Sequence, residues 1–200
     1  MAADHAGHVF VVRRGAILKY DGATGELLDK IQGDDYFDDV AVLPGGGLVA
    51  ASYRNRDDIV WLNSDGEVVS RLKEAIRGQT GDSELNTRVA VDGLGNIYAL
   101  GQFNNAVFIF DPEGKFVSKF GSDGNEPGQF RAPGTIAVDS QSRVYVSDIK
   151  GIQVFAADGR YLRVFVPPNR AFVFGMTFND RNELFGVAGD EVFKFVLNEP

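Results

Sequence analysis

Short apolar runs separated by turn residues recur along the whole chain, and residues 133–165 show the pattern most clearly. This stretch, PGTIAVDSQSRVYVSDIKGIQVFAADGRYLRVF, contains such runs at 135–138, 143–146, 152–155 and 161–165. Apolar and polar side chains alternate within the runs, and turn residues such as Asp, Ser and Gly lie between them. Alternation with a period of two residues is typical of antiparallel strands joined by tight turns. The pattern therefore predicts a four-stranded antiparallel sheet.

The rest of the chain repeats this unit. The third run of each copy lies at 16–20, 58–62, 106–110, 151–155 and 191–195, so the copies follow one another every 40–48 residues. A repeat of about 40–50 residues with four strands in each copy is typical of a β-propeller, in which each repeat forms one blade. The sequence therefore predicts an all-β propeller built from about five units.

The units have approximate boundaries, and together they predict one domain spanning residues 1–200. The predicted units are 8–31, 37–72, 86–120, 133–165 and 171–196. The first unit is predicted to begin at its second strand because MAADHAG is short and unpatterned, and the last is predicted to stop after its third strand. Incomplete first and last blades predict an open arc whose exposed strand edges favour self-association.

Residues 120–165 also carry a family resemblance. The matching features are Gly128, Phe130 and Pro133, followed by the segments IAVDS, RVYVSD and IQVF. In these features the chain resembles the NHL-repeat propellers. The resemblance implies radially arranged four-stranded blades, with this chain corresponding to a five-unit portion of a six-bladed propeller. The family includes binding proteins and a few enzymes, so the resemblance does not decide the function.

Composition narrows the classes of partner. The formal net charge is −8, which argues against a nucleic-acid or anionic-membrane surface. The chain has no cysteine, no apolar run of transmembrane length and no signal-peptide pattern in residues 1–7. The compartment is therefore undetermined, with the cytoplasm as the default expectation.

One face of the predicted propeller concentrates basic and aromatic residues. The connections between second and third strands and between one blade and the next share this face, where the resemblance implies that partners bind. The predicted binding residues are Arg13, Arg14, Tyr36, Tyr53, Arg54, Arg56, Arg88, Gln102, Phe103, Arg131, Asp148, Lys150 and Arg170. Arginine forks bind carboxylates and phosphates, and aromatic rings add stacking surface. The alternative is that the arginines pair with acidic residues of the same loops, namely Asp34, Asp35, Asp57, Asp58 and Asp148.

Catalytic chemistry has little support in the sequence. The only histidines are His5 and His8, both near the first residue, and no nucleophile elbow, phosphate-binding loop or zinc-protease motif is present. The acidic run at 33–39 lacks the ligand order of a calcium-binding loop and is interpreted as a solvated loop. We therefore predict a non-catalytic binding or scaffold module for a protein or an anionic ligand, without a cofactor or a metal. The alternative is a metal-dependent propeller hydrolase or lyase with carboxylates in the central channel.

Two further expectations concern packing. The connections 73–86 and 121–131 are long and polar, and they either bridge neighbouring blades or cap the channel as mobile loops. Large side chains recur at one position of the third strand, which predicts a core between blades. Trp61 lies one residue before that position and is predicted to face the other side of its sheet.

Overall fold

The computed structural model describes residues 1–53 and 57–196, which form five antiparallel sheets. Blade 1 consists of β1 (Ala2–Ala3), β2 (His8–Arg13), β3 (Ala16–Asp21) and β4 (Leu27–Ile31). Blade 2 consists of β5 (Phe37–Val42), β6 (Leu48–Ser52), β7 (Asp58–Leu62) and β8 (Val68–Leu72). Blade 3 consists of β9 (Thr87–Val91), β10 (Ile97–Gly101), β11 (Ala106–Phe110) and β12 (Phe116–Phe120). Blade 4 consists of β13 (Ile136–Val138), β14 (Val144–Asp148), β15 (Gly151–Phe155) and β16 (Tyr161–Phe165). Blade 5 consists of β17 (Gly175–Phe178), β18 (Leu184–Ala188) and β19 (Glu191–Phe195).

The sheets are the blades of a β-propeller, which confirms the predicted fold class. Each is a meander in which consecutive strands pair antiparallel. The first strands of consecutive blades, β1, β5, β9, β13 and β17, contact one another in order, so the blades are arranged around a common axis. The described residues also contain the α-helix α1 (Arg77–Thr80) and a three-residue 3-10 turn, and neither could span a membrane.

Blade 1 differs from the sequence prediction because it possesses a first strand. Ala2 pairs with Phe10 and Ala3 with Val9, and the carboxylate of Asp4 accepts the N–H of His8 at 2.8 Å to close the turn. A two-residue strand is too short to show alternation, and its ladder needs only backbone groups. The expectation that the first unit begins at its second strand is therefore wrong. Blade 5 has three strands within the described residues, as predicted.

The hydrophobic core lies between successive blades. Leu62, Phe110, Phe155 and Phe195 occupy one position of their third strands, and each packs against the preceding blade. Trp61 is buried on the opposite face of blade 2, against blade 3. The prediction that its ring faces the other side of the sheet is therefore confirmed. The recurring large side chains thus pack each blade against the preceding one.

The two long connections bridge blades and contribute to this core. In the first, Ala75 and Ile76 are fully buried between blades 2 and 3, where the Asp57 carboxylate accepts the N–H groups of Ile76 and Arg77 at 3.0 and 2.7 Å. In the second, Phe130 is fully buried between blades 3 and 4. Of the two predicted roles, bridging therefore agrees with the structure.

In blades 3 and 4 the hairpins between first and second strands use the buried aspartates Asp92 and Asp139 as turn anchors. In blade 4 the Asp139 carboxylate accepts the N–H groups of Gln141 and Arg143 and the hydroxyl of Tyr145. Burial, together with the Asp139 charge, raises the pKa of Tyr145 to about 12. This aspartate of the IAVDS segment is thus fully engaged in holding its own turn.

Candidate partner-binding face

The predicted binding residues belong to two classes of connection on one side of the propeller. The second and fourth strands of a blade run in the same direction, so their last residues lie on the same face. That face carries the hairpins between second and third strands and the connections from each blade to the next. We call it the loop face. The opposite face carries the remaining hairpins.

Two exposed tyrosines form the best-defined feature of the loop face. The rings of Tyr36 and Tyr53 lie 5.9 Å apart and are tilted by 57°. The Tyr36 ring covers Gly15, where an added Cβ would lie 2.3 Å from a ring carbon. Backbone hydrogen bonds join the same segments, from Phe37 N–H to Gly15 O and from Tyr53 N–H to Tyr36 O. The ring pair, which we call the tyrosine cluster, is therefore held by three separate connections.

Four exposed arginines lie on the same loop face as this aromatic surface. Arg13 and Arg14 directly precede Gly15 in the hairpin beneath Tyr36, and Arg131 and Arg170 lie in the connections that lead into blades 4 and 5. All four are exposed. Within residues 1–53 and 57–196, none of these four guanidinium groups forms an ion pair with a carboxylate. Exposed guanidinium groups of this kind are available to carboxylates or phosphates of a partner.

The nearby acidic residues have other partners. Arg71 of β8 forms ion pairs with Asp35 at 2.5 Å and with Asp58 at 3.3 Å. The hydrogen bond to Asp35 raises the pKa of the Arg71 guanidinium. Asp57 binds backbone N–H groups of the first long connection, as described above. The alternative in which these carboxylates neutralise the predicted arginines therefore does not describe Arg13, Arg14, Arg131 or Arg170.

Three predicted binding residues instead hold the loops together. Asp148 is buried and accepts hydrogen bonds from the N–H groups of Arg131 and Lys150 and from the side chain of Gln153. The Lys150 ammonium lies 3.6 Å from Asp148 and donates to a backbone carbonyl of the preceding connection at 2.5 Å. The Gln102 amide donates to two consecutive carbonyl oxygens at the start of blade 4, at 2.9 and 2.7 Å. These residues shape the loop face and leave few groups for a ligand.

Arg88 does not lie in a connection, contrary to the prediction. It belongs to β9, and its guanidinium donates to the backbone oxygen of Asp38 in blade 2 at 3.1 Å. Beside it, the Asp39 carboxylate accepts the N–H of Val89 at 3.0 Å and lies 3.9 Å from the terminal ammonium of Met1. These groups form a polar cluster near the axis, and Arg88 is better assigned to that cluster than to the loop face.

Phe103 is exposed on the loop face as predicted, and three further apolar side chains accompany it. Ile149, Phe172 and Phe174 are also exposed there. Phe172 and Phe174 flank the buried Val173, so alternation around that valine was the signal that could have identified them. Arg54 and Arg56, also predicted to bind, lie outside the described residues.

The polar cluster near the axis predicts that the effect of replacing Asp39 on stability depends on pH. Burial raises the pKa of Asp39, so the folded chain binds its proton more tightly than the unfolded chain does. The free energy of unfolding therefore loses a contribution as pH rises from the ordinary carboxyl pKa of about 3.9 through the raised value. We expect Asp39→Asn to be more stable than wild type at pH 7, with the difference shrinking toward pH 4.

Urea denaturation at both pH values measures this difference, and Asp29→Asn on the exposed strand β4 is the matched control. A loss of stability in Asp39→Asn that is equal at the two pH values would show that the attraction to Arg88 and the terminal ammonium outweighs burial.

The described part of the chain contains no group of side chains that could hold a catalytic metal ion. Across residues 1–53 and 57–196, no three His, Cys, Asp or Glu side chains come close enough together to hold a metal ion. The Asp39 carboxylate near the axis accepts the N–H of Val89 and lies 3.9 Å from the terminal ammonium of Met1.

Comparisons with known proteins agree with this architecture. A family model described as a 6-bladed beta-propeller matches residues 76–165. No curated protein matches the chain. A solved protein of unknown function from Bacteroides caccae is similar at 17% identity, covering 95% of this chain and 69% of its own, with a TM-score of 0.62.

Two lyase structures are also similar. A streptogramin B lyase matches at 14% identity, covering 100% of this chain and 68% of its own, with a TM-score of 0.66. Virginiamycin B lyase from Staphylococcus aureus matches at 13% identity, covering 99% of this chain and 69% of its own, with a TM-score of 0.66. At these identities the likeness extends to the fold and not to the reaction. The chain thus has the fold of a β-propeller.

Proposed function

We propose that this chain is an NHL-type propeller that acts as a non-catalytic binding module and engages an acidic protein surface through its loop face. The observation that carries the proposal is the tyrosine cluster beside Arg13 and Arg14, whose guanidinium groups have no ion-pair partner among the described residues. Tyrosine and arginine are, with tryptophan, the residue types most enriched among the side chains that dominate protein interfaces. Exposed aromatic side chains next to unpaired arginines therefore support a role in recognition.

The form of the surface favours a protein over a small anion. Phe103, Ile149 and Phe174 are 62%, 63% and 53% exposed, so they stand on an open surface and do not line an enclosed pocket. They lie on the same face as the tyrosine cluster, in the hairpins of blades 3 and 4 and in the connection that leads into blade 5. Small ligands are usually held in concave sites that bury most of their surface, whereas a protein covers a broad surface of this kind.

Charge reversal on the two faces tests the proposal. We expect Arg13→Glu combined with Arg14→Glu to weaken binding of a polyglutamate decamer, and of any protein captured by the immobilised chain, by about tenfold or more. The control combines Arg160→Glu with Arg181→Glu, which makes the same charge change in exposed hairpins of the opposite face. Fluorescence anisotropy at several salt concentrations measures the decamer, because attraction between charges weakens as salt screens them.

The outcomes separate the partner classes. Equal weakening by the two double variants would show that net charge alone determines binding and would contradict the loop-face assignment. Calorimetric binding of inorganic phosphate or a dicarboxylate that is lost only in the Arg13/Arg14 variant would assign the face to a small anion. Loss of protein capture in Tyr36→Ala, with the decamer unaffected, would show that the tyrosine cluster recognises apolar groups of a protein.

A further inference from the structure

The connection that leads into blade 2 differs from the other connections between blades. Those into blades 3, 4 and 5 each place a side chain of at most 1% exposure in the core between blades, namely Ile76, Phe130 and Val173. The connection into blade 2 consists of residues 32–36, and none of these five is buried. The space between blades 1 and 2 therefore receives no buried side chain from its connection.

A cavity lies between the outer parts of blades 1 and 2. Its volume is about 490 Å³, and it is lined by β4 on one side and by β8 and the hairpin before it on the other. Ile31, Phe37, Leu62 and Val68 form its apolar lining. Sites for small molecules are usually concave, mainly apolar and roughly 300–1,000 Å³ in volume, so this cavity is large enough for such a ligand.

The residues around the cavity correspond to those that surround Phe130 between blades 3 and 4. The Phe130 ring lies 5.5 Å from the Phe155 ring and covers Gly121, and Phe120 and Tyr161 pack in the same cluster. By strand register and chain position, the counterparts of Phe155, Gly121, Phe120 and Tyr161 are, in that order, Leu62, Gln32, Ile31 and Val68. All four counterparts line the cavity. The cavity is therefore at the place that Phe130 fills two blades further along the chain.

Smaller side chains help to keep this space open. Leu62 stands where blade 4 has Phe155, and Val68 stands where it has Tyr161. An aromatic ring in the cavity would contact Ile31, Leu62 and Val68, and removal of these apolar surfaces from water stabilises a complex. The cavity therefore favours a ligand with an apolar body of about the size of an aromatic ring.

The charged residues of the lining determine the sign of the ligand. Four aspartates and two basic residues line the cavity, namely Asp29, Asp34, Asp35, Asp65, Lys30 and Arg71. The guanidinium of Arg71 already forms ion pairs with Asp35 and Asp58. Negative formal charge thus exceeds positive formal charge in the lining, so a cation is attracted and an anion is repelled.

We propose that this cavity binds a small organic amine, with its ring in the place that corresponds to Phe130 and its ammonium group toward the aspartates. The apolar lining supplies most of the binding free energy, and the aspartates select the cation over an anionic compound of similar shape. The site does not include the tyrosine cluster, Arg13 or Arg14, so it is independent of the proposed function.

Two compounds with the same ring system test the charge preference. Tryptamine carries an ammonium group at neutral pH, and indole-3-propionate carries a carboxylate on a side chain of similar length. Isothermal titration calorimetry measures the affinity of each compound for the full chain. We expect the chain to bind tryptamine at least about fivefold more tightly than indole-3-propionate, with the difference shrinking as salt is added.

A charge reversal at one end of the cavity tests the role of the aspartates. Asp65→Lys is expected to abolish the preference for tryptamine. Glu113→Lys is the matched control and should retain it, because Glu113 is exposed at the corresponding position of the equivalent hairpin in blade 3. Both variants change the net charge by the same amount, so an effect of net charge alone would appear in both.

A second pair of variants tests the location. Val68→Trp is expected to weaken tryptamine binding at least about tenfold, because the added indole group occupies the cavity. Val69→Trp changes the next residue of β8, which does not line the cavity, and is expected to leave binding unchanged. Val68 and Val69 are 50% and 63% exposed, so both variants are expected to fold, and circular dichroism checks this.

Each part of the proposal can be overturned separately. Equal affinity for the two compounds, or tighter binding of indole-3-propionate, would overturn the assignment of a cation. Tryptamine binding that folded Val68→Trp leaves unchanged would overturn the location. Absence of measurable binding of both compounds would overturn the site as a whole. None of these results bears on the loop face, whose test uses variants of Arg13 and Arg14.

Discussion

Replacing Phe130 with alanine is expected to lower the free energy of unfolding by about 3–5 kcal/mol, the usual cost of removing a fully buried phenylalanine. Its ring lies 5.5 Å from Phe155 between blades 3 and 4 and covers Gly121, where an added Cβ would lie 2.3 Å from a ring carbon. The backbone of Phe130 also hydrogen-bonds to Ser122 and Gly124 within the same connection. Loss of the ring leaves a cavity that these fixed neighbours cannot fill.

Urea denaturation followed by circular dichroism measures this loss. Phe103→Ala is the matched control, because it removes the same atoms from a side chain that is 62% exposed and should change stability by no more than about 0.5 kcal/mol. Similar values for the two variants would mean that the connection behaves as a mobile cap on the channel and does not belong to the core.

The second large effect is expected at Glu84, where alanine should cost about 3–4 kcal/mol. This buried carboxylate accepts hydrogen bonds from the N–H groups of Leu85, Asn86, Phe103 and Asn104 and from the Asn104 side chain, at 2.9 to 3.2 Å. It thereby joins the first long connection to the hairpin of blade 3. Removing it leaves several partly buried donors without their acceptor, and each such donor is costly.

Glu84→Ala is compared with Glu113→Ala, a change at an exposed turn of the same blade, by urea denaturation. Hydrogen exchange supplies a second readout, since the amides of Phe103 and Asn104 should exchange faster in Glu84→Ala alone. Unchanged exchange together with wild-type stability would show that water replaces the carboxylate without loss. Glu84→Gln retains one acceptor oxygen and is expected to fall between alanine and wild type.

The blades could be predicted because their signal is local. Alternating side chains and turn residues recur in each unit, and the period between units identifies the fold without any knowledge of long-range contacts. The strand Ala2–Ala3 could not be predicted in this way, because its pairing uses backbone groups and leaves no pattern in two alanines. The burial of Ile76 and Phe130 could not be predicted for a different reason, since each lies in a mostly polar connection without an alternating pattern.

The residue types of the candidate binding site could be predicted from the sequence. The ion pairs between its arginines and acidic residues were harder to predict. The sequence places arginines and acidic residues in the same loops, but it does not specify which guanidinium reaches which carboxylate. In the structure Arg71, which belongs to a strand, binds Asp35 and Asp58. Those distances depend on the register of β7 with β8 and on the approach of the preceding connection. The arginines of the loop face do not pair with Asp35 and Asp58 because Arg71, which lies in another segment, binds both carboxylates.

Trp61, buried between blades 2 and 3, also determines what an optical experiment on this protein can detect. It is the only tryptophan in the sequence, so intrinsic tryptophan fluorescence reports the separation of those two blades and no other pair. In a repeat architecture, where each unit contacts mainly its neighbours, distant units can open without disturbing that ring. Fluorescence therefore serves as a local probe, and circular dichroism as the global one, for deciding whether the blades unfold together or one after another.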